Sequence, residues 1–333
     1  MQWLAKRIGQ ALFTLWAVIT LSFVLIRYLP GGPIDYLVVK LKEQGIPESQ
    51  IGNYVNNYIS FDPDQPLWMQ YLDYVASVLQ GDFGEAYYLD GQVLDILAQA
   101  LPWTVFLAAI GTFLTTVIGI AVGGFMAYTE GSKFDTGVTL FSTIAGGIPY
   151  YVLAIGLLYV FAYRLQYFPT GGQVNPDLVP GFKWPYIKSV LYHATLPILS
   201  TTLVGWGGTA LSMRGNSISI LGEDYIRVAR LRGLPRRRIA LRYVARNAML
   251  PMYTGILLAI AFMLGGSVIL EEIFAYPGVG YYLFQGTVAR DYPVMMGGLV
   301  MISTAVIVGV LIADLTYSKI DPRAAGEGER EAY

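Results

Sequence analysis

The sequence predicts an all-α integral membrane protein, with six membrane-spanning helices and a polar insertion after the first. Three observations carry this. Of the 333 residues, 55% are hydrophobic and only 14% are charged, where soluble domains carry roughly 25% charged residues. Mean hydropathy is +0.50, and the apolar residues are gathered into long runs. Lys and Arg are concentrated in one alternating set of the loops that join those runs, the asymmetry that orients membrane proteins.

The first apolar run is Ile8 to Leu29, preceded by Lys6 and Arg7. It is too long for the apolar core of a signal peptide, and Pro30-Gly-Gly-Pro33 is a poor cleavage site. At ~1.5 Å per residue it spans a bilayer, so an uncleaved first helix is expected, with Arg27 snorkelling at its far end. Residues 31–101 differ in kind. They are polar, acidic and rich in turn residues, as in Gly45-Ile-Pro47, Asp62-Pro-Asp-Gln-Pro66 and Gly81-Asp-Phe-Gly84. Leu67, Tyr71, Tyr74, Val75 and Val78 mark one amphipathic helix, and Val93 to Leu101 a second. Trp68 and many tyrosines suit a segment packed on the outer membrane face.

Four further runs are clear: Trp103–Tyr128, Val138–Tyr163, Met252–Leu270 and Val294–Tyr317. A weaker one, Leu191–Met213, is interrupted by Pro197 and Gly205-Trp-Gly-Gly208. It counts as a helix because small residues let helices approach closely in a bundle. Gly119, Gly123, Gly124, Gly146, Gly147, Gly265 and Gly266 fit the same packing role. The organisation expected is an N-terminal membrane helix (1–30), an extracytoplasmic segment (31–101), a five-helix core (102–320) and a tail (321–333).

Six helices put both termini on one side. With the N-terminus cytoplasmic, the inside loops hold most of the 22 Lys and Arg residues, including Lys133, Arg214 and every Arg from Arg227 to Arg246. The outside loops hold Lys40, Lys42, Arg164, Lys183, Lys188 and Arg290. Both termini are therefore expected in the cytoplasm.

Several chemistries are excluded. The chain has no cysteine and one histidine, His193, so thiolate and His-cluster metal sites are not expected. A net charge of −1 points to no nucleic-acid partner. No Gly-Lys dipeptide occurs, hence no Walker A cradle for ATP, and neither Gly-x-Ser-x-Gly nor His-Glu-x-x-His is present. No cofactor and no catalytic residue is expected. Ionisable residues are scarce within the apolar runs; Asp314 lies near the end of the last, and Glu271 and Glu272 close the fifth. A proton- or sodium-coupled carrier needs buried carboxylates near the midplane, so the energy is expected from outside the chain.

The stretch where it can be delivered is Glu223 to Pro235, short, Arg-studded and weakly amphipathic, between two apolar runs. Gly233 lets the chain turn out of a helix, and Pro235 prevents its simple continuation. Charge alone leaves two readings, a helix for a partner to push on and a basic loop held near anionic lipid.

Asp224 to Pro251, with Tyr225-Ile-Arg-Val-Ala-Arg-Leu-Arg-Gly233 followed by Arg246-Asn-Ala-Met-Leu-Pro251, resembles the EAA-type loop of ABC importer permeases, closest to their dipeptide/oligopeptide branch. Arg232 stands where that branch has Lys, and Arg227-Val-Ala229 replaces the Glu-Ala-Ala that names the loop. Tyr28-Leu-Pro-Gly-Gly-Pro33, Gly81-Asp-Phe-Gly84, Glu271 to Gly280, Arg290-Asp-Tyr-Pro293 and Asp321-Pro-Arg323 extend the likeness over nearly the whole chain. Residues 86–92 depart from it.

The resemblance implies the six-helix ABC importer permease fold, with a coupling loop at 214–251. It implies a non-catalytic subunit of an ATP-driven, binding-protein-dependent importer of dipeptides or oligopeptides, working by alternating access. Its partners would be a second permease, two cytoplasmic ATPases and an extracytoplasmic binding protein, in the cytoplasmic membrane. The coupling residues it implies are Tyr225, Ile226, Arg227, Ala229, Arg230, Leu231, Arg232 and Gly233, with Ile226, Ala229 and Leu231 as the apolar docking side. Glu271, Glu272, Gly265 and Gly266 are pore or gate candidates, the two glutamates being equally readable as interfacial charges at a helix end. Arg236, Arg237 and Arg238 read first as lipid-facing or topogenic. The same branch resembles importers of oligosaccharides and nickel chelates. From other classes, a stand-alone carrier or channel competes, and a membrane-embedded enzyme is disfavoured by the absence of a nucleophile–base pair.

Overall fold

A computed structural model describes residues 2–28, 33–58, 65–89, 91–263 and 267–320. The described residues form helices, with one isolated antiparallel bridge between Glu85 and Gln92. Helix α1 (Gln2–Tyr28) leads to the insertion helices α2 (Pro33–Glu43), α3 (Glu48–Tyr58) and α4 (Leu67–Leu79). The bundle follows as α5 (Val93–Tyr128), α6 (Lys133–Gly146), α7 (Tyr150–Leu157, continued by a π-helical turn to Arg164) and α8 (Trp184–Leu221). Then come α9 (Asp224–Leu231), α10 (Arg236–Arg238, continued by a π-helical turn, Ile239–Ala245), α11 (Arg246–Met263), α12 (Val268–Ile273), α13 (Val279–Ala289) and α14 (Tyr292–Ile320).

Two apolar runs take a different form from the one expected, and a third takes the expected one. The amphipathic stretch from Val93 and the span from Trp103 are one helix, so the expected boundary at 101/102 falls inside α5. Val93, Leu97, Ala100, Thr104, Leu107 and Gly111 form one buried stripe at helical spacing, continuous past Pro102. That shared burial outweighs the single donor proline removes. Conversely, Val138–Tyr163 is not one helix. The chain turns by 90° between α6 and α7 at Gly147-Ile-Pro149, where Pro149 is extended (ψ 135°) and starts the second helix. Leu191–Met213 is helical as expected, unbroken inside the 38-residue α8 despite Pro197 and its glycines.

Of those glycines Gly205 packs on Thr115 of α5 and Gly207 on Ser142 of α6, and α5 brings glycines of its own to the contact. Gly111 faces Thr201, Gly119 faces Trp206 and Thr209, and Gly123 faces Ala210 and Met213. The pairings advance together along both chains, so α5 and α8 run parallel, backbone against backbone. A Cβ on Gly119 would lie 2.9 Å from the Trp206 carbonyl oxygen, and one on Gly123 would lie 2.8 Å from Met213 Cβ. The packing role expected of the glycines thus holds for these two. Gly124 makes only an ordinary contact at 3.8 Å, Gly147 touches only the preceding turn at 3.4 Å, and Gly146 faces open space. Gly265 and Gly266 lie outside the described residues.

By length and composition, three described stretches are able to cross a membrane, Ala5–Leu25, Val93–Tyr128 and Tyr292–Thr316, and the bent α6–α7 pair makes a fourth. The expected span in α8 is less apolar, the one in α11 runs on beyond the described residues, and small and hydroxylated residues of both helices line an internal cavity. The insertion is tied to the first and last helices by a separate apolar cluster of Ile19 and Phe23 of α1, Leu37 and Leu41 of α2, Ile51 and Val55 of α3, Tyr74 and Val78 of α4, and Val300 of α14.

Candidate coupling helix and translocation cavity

α9 is an eight-residue helix that lies in a socket made by its own chain. Ile226 (0% exposed) and Ala229 (3%) point inward, against Ile239 and Val244 and the half-buried Ile220, Leu221, Leu234 and Tyr243. This corrects the apolar face expected for a partner. Ile226 and Ala229 are the anchor, and the outward apolar side is Tyr225, Val228 (53% exposed) and Leu231 (82%), one helical stripe at i, i+3 and i+6. Arg227, Arg230 and Arg232 are exposed around it.

The helix ends as its sequence requires. Gly233 is left-handed (φ 70°), and the amides of Gly233 and Leu234 donate to the carbonyls of Arg230 and Ala229, a glycine C-cap. Pro235 then caps α10 in extended conformation. The Arg246-Asn-Ala248 motif clamps this unit. Asn247 Nδ2 donates to the Tyr225 hydroxyl (3.2 Å) and the Tyr243 carbonyl (2.7 Å), while the buried Ala248 offers its carbonyl to Asn216 of α8 (3.2 Å).

Two residues before Asn216 on the same helix, Arg214 makes a two-pronged pair with Asp135, Nε to Oδ1 at 2.5 Å and Nη2 to Oδ2 at 2.7 Å. The Asp135 side chain is 3% exposed. Its amide receives the Ser132 cap and its Oδ2 accepts from Gly131, so the pair fixes the start of α6 to α8. Sequence reasoning counted Arg214 only as a topogenic charge and did not single out Asp135, Asn216 or Asn247. An Asp at the third position after a Ser N-cap was the available signal for Asp135.

Between α5, α8, α11 and α12 lies a cavity of about 870 Å³. Its wall carries hydroxyls, among them Thr112, Thr115, Thr116, Thr209 and Ser212, and glycines, of which Gly111 and Gly205 pack closely between α5 and α8. Among the described residues of that wall, Glu271 is the single ionisable group. Glu271 is 2% exposed and sits beneath the turn Tyr276-Pro-Gly-Val-Gly280. Its Oε2 accepts the Tyr281 amide (3.1 Å), and Thr104 of α5, beside it, accepts the Val279 amide (2.8 Å). Gly278 and Gly280 are required because a Cβ on either would run into the carboxylate or the α12 backbone. Glu272 instead accepts from Gln285 Nε2 (3.1 Å), away from the cavity wall. The two adjacent glutamates thus part in role.

Tyr88 of the departing segment is held by Asp291, between α13 and α14. Asp291 is fully buried and accepts the Tyr88 amide at 2.8 Å. Burial pushes its carboxyl above the usual range.

A helical membrane bundle around a hydroxyl-lined cavity, with a short socketed helix between two long ones, is the arrangement expected of the membrane subunit of an ABC importer. The chain belongs to the family of binding-protein-dependent transport system inner membrane components, whose model matches residues 119–326. It is similar to the oligopeptide transport system permease protein AppB of Bacillus subtilis, 32% identical over 96% of this chain and 98% of that protein. The oligopeptide permease OppB of Haemophilus influenzae is 30% identical over 97% and 99% of the two chains, and the dipeptide permease DppB of Escherichia coli K12 is 28% identical over 97% and 98%. In fold it is similar to a chain of the MetNI methionine ABC transporter in an inward-facing form, with a TM-score of 0.54 at 16% identity, over 68% of this chain and 96% of that chain. The protein is a multi-pass, non-catalytic permease subunit, with ATP hydrolysis in a separate subunit. This removes the stand-alone carrier and the membrane enzyme.

Proposed function

We propose that the chain is one half of the membrane channel of a peptide importer, paired with a different permease, two cytoplasmic ATPases and an extracytoplasmic binding protein. The observation that carries the peptide assignment is the identity to oligopeptide and dipeptide permeases over almost the full length of both chains. The cavity fits such cargo. Hydroxyls solvate amide groups of any sequence, and a nearly uncharged wall sets no preference among side chains. Both termini lie in the cytoplasm, as the loop charges require. Residues 33–101 then face outward, where a hollow of about 530 Å³ bordered by Gln92, Asp95, Trp103 and Gln173 is open to a delivering protein.

In this reading α9 rests in a cleft of one ATPase through Tyr225, Val228 and Leu231, flanked by Arg227 and Arg232, while Arg230 faces the hollow behind the helix. ATPase closure pushes α9, and the socket passes the motion to α8 and through Arg214–Asp135 to α6. The cavity opens alternately to either side, with Glu271 and Thr104 latching its far end. A mild-detergent pull-down of the intact chain, followed by mass spectrometry, tests the assembly. Two ATPases, a second permease and a binding protein loaded with peptide are expected. Oligosaccharide or a nickel chelate on the binding protein would overturn the cargo, and recovery of the chain alone would overturn the assembly.

The latch makes its own prediction. Glu271→Ala leaves the Tyr281 amide without its acceptor, a loss of about 1–3 kcal/mol for a donor left unsatisfied away from water. Transport in proteoliposomes should fall about tenfold or more, with faster proteolysis at the 276–280 turn. Glu271→Gln, which keeps an acceptor oxygen, should lose less. Equal transport by Glu271→Ala and the unmodified chain would discard the latch.

A further inference from the structure

Behind α9, on the side away from its exposed stripe, lies a second hollow of about 640 Å³. It is walled by the ends of α5 and α8, by α9 and by α10 with its π-helical turn. Arg230 and Arg236 both border it. Neither has a carboxylate partner within ion-pair distance among the described residues. Ser217, 1% exposed, also borders it, and its hydroxyl has no hydrogen-bond partner there. A buried hydroxyl without a partner is costly unless a ligand supplies one. The rest of the wall is largely apolar, with Leu221, Leu234 and Val244. Glu130 is the single acidic group in it, and it makes no ion pair with Arg230 or Arg236 among the described residues.

Two cations and a hydroxyl donor facing an apolar wall suit an amphiphile with an anionic, many-acceptor head. We infer that this hollow binds the phosphate headgroup of one anionic phospholipid. The guanidinium groups of Arg230 and Arg236 take the phosphate oxygens, Ser217 Oγ donates a third hydrogen bond, and the glycerol and upper acyl carbons cover the apolar wall. The apolar wall favours a lipid over a free phosphate, which would leave it wet. The headgroup then bridges α9 to α5 and α8 and stiffens the coupling helix in its socket. A nearby surface hollow formed by Pro235, Arg237, Arg238, Leu241 and Arg242 has basic groups but no buried unpartnered hydroxyl. It serves as an internal control.

Native mass spectrometry of the full-length chain, mixed with equimolar phosphatidylglycerol and phosphatidylcholine, tests this. One phosphatidylglycerol should be retained in preference to phosphatidylcholine. Arg236→Gln should weaken retention about tenfold, the scale of one charge-assisted contact, and Arg237→Gln should leave it unchanged. Ser217→Val keeps every charge and should weaken it several-fold, so the site stays testable if Arg236→Gln does not fold. Equal retention of the two lipids, equal loss in the Arg236 and Arg237 variants, or no effect of Ser217→Val overturns the site. Displacement by millimolar inorganic phosphate alone would make the occupant a free anion and overturn the lipid.

Discussion

Ala229→Glu should abolish transport, by about a hundredfold or more, while the chain still inserts and ATP is still hydrolysed. Ala229 is 3% exposed among Ile226, Ile239 and Val244. A carboxylate there either stays charged in an apolar socket, at several kcal/mol, or drives α9 out of it. Either way the push on α9 no longer reaches α8. Gly233→Val should do the same less completely, because a β-branched residue is strained at φ 70° and the cap must rearrange. Val228→Glu on the exposed stripe should act differently, weakening recovery of the ATPase in a pull-down while leaving the socket intact. The check is paired measurement of ATP hydrolysis and substrate uptake in proteoliposomes. Normal coupling in Ala229→Glu and Gly233→Val together would remove the socketed-helix mechanism.

Arg214→Ala should be the most destabilising single change outside the close-packed α5–α8 seam. It leaves the Asp135 carboxylate, whose side chain is 3% exposed, without its two-pronged partner. Removing one member of a buried pair costs about 3–5 kcal/mol. The lower end applies here, since Arg214 keeps 28% of its side chain exposed. Asp135→Asn with Arg214→Ala should recover much of that loss, because no uncompensated charge remains. Thermal unfolding of the purified chain in nanodiscs reads both. A single variant as stable as the unmodified chain, or a double variant worse than the single, would show that the pair does not hold α6 to α8.

The socket face shows where sequence reading ends. The apolar positions of α9 were legible, but two different stripes share that helix, Ile226 with Ala229 and Tyr225 with Val228 and Leu231. An eight-residue pattern does not say which turns inward. The decision lies in Ile239 and Val244, ten or more residues on, which supply the opposing wall. The same limit governs the helix breaks. Pro102, Pro149 and Pro197 are alike in sequence, yet only Pro149 marks a 90° turn. The other two lie in helices whose buried stripes continue on both sides.

The sequence by itself determined the membrane class, through apolar runs that only a bilayer accommodates, and the place of a short Arg-rich helix, through arginines and a Gly-x-Pro stop between two of those runs. Turn chemistry and bulk hydropathy are local, so a single chain displays them directly. Only the tertiary structure decided that Arg214 meets Asp135, 79 residues away, and that Thr104 holds the Val279 amide, 175 residues away. It alone decided that Glu271 enters the cavity wall while Glu272 does not. These are pairings between elements, set by how the parallel α5 and α8 close against their neighbours, and no local pattern encodes them.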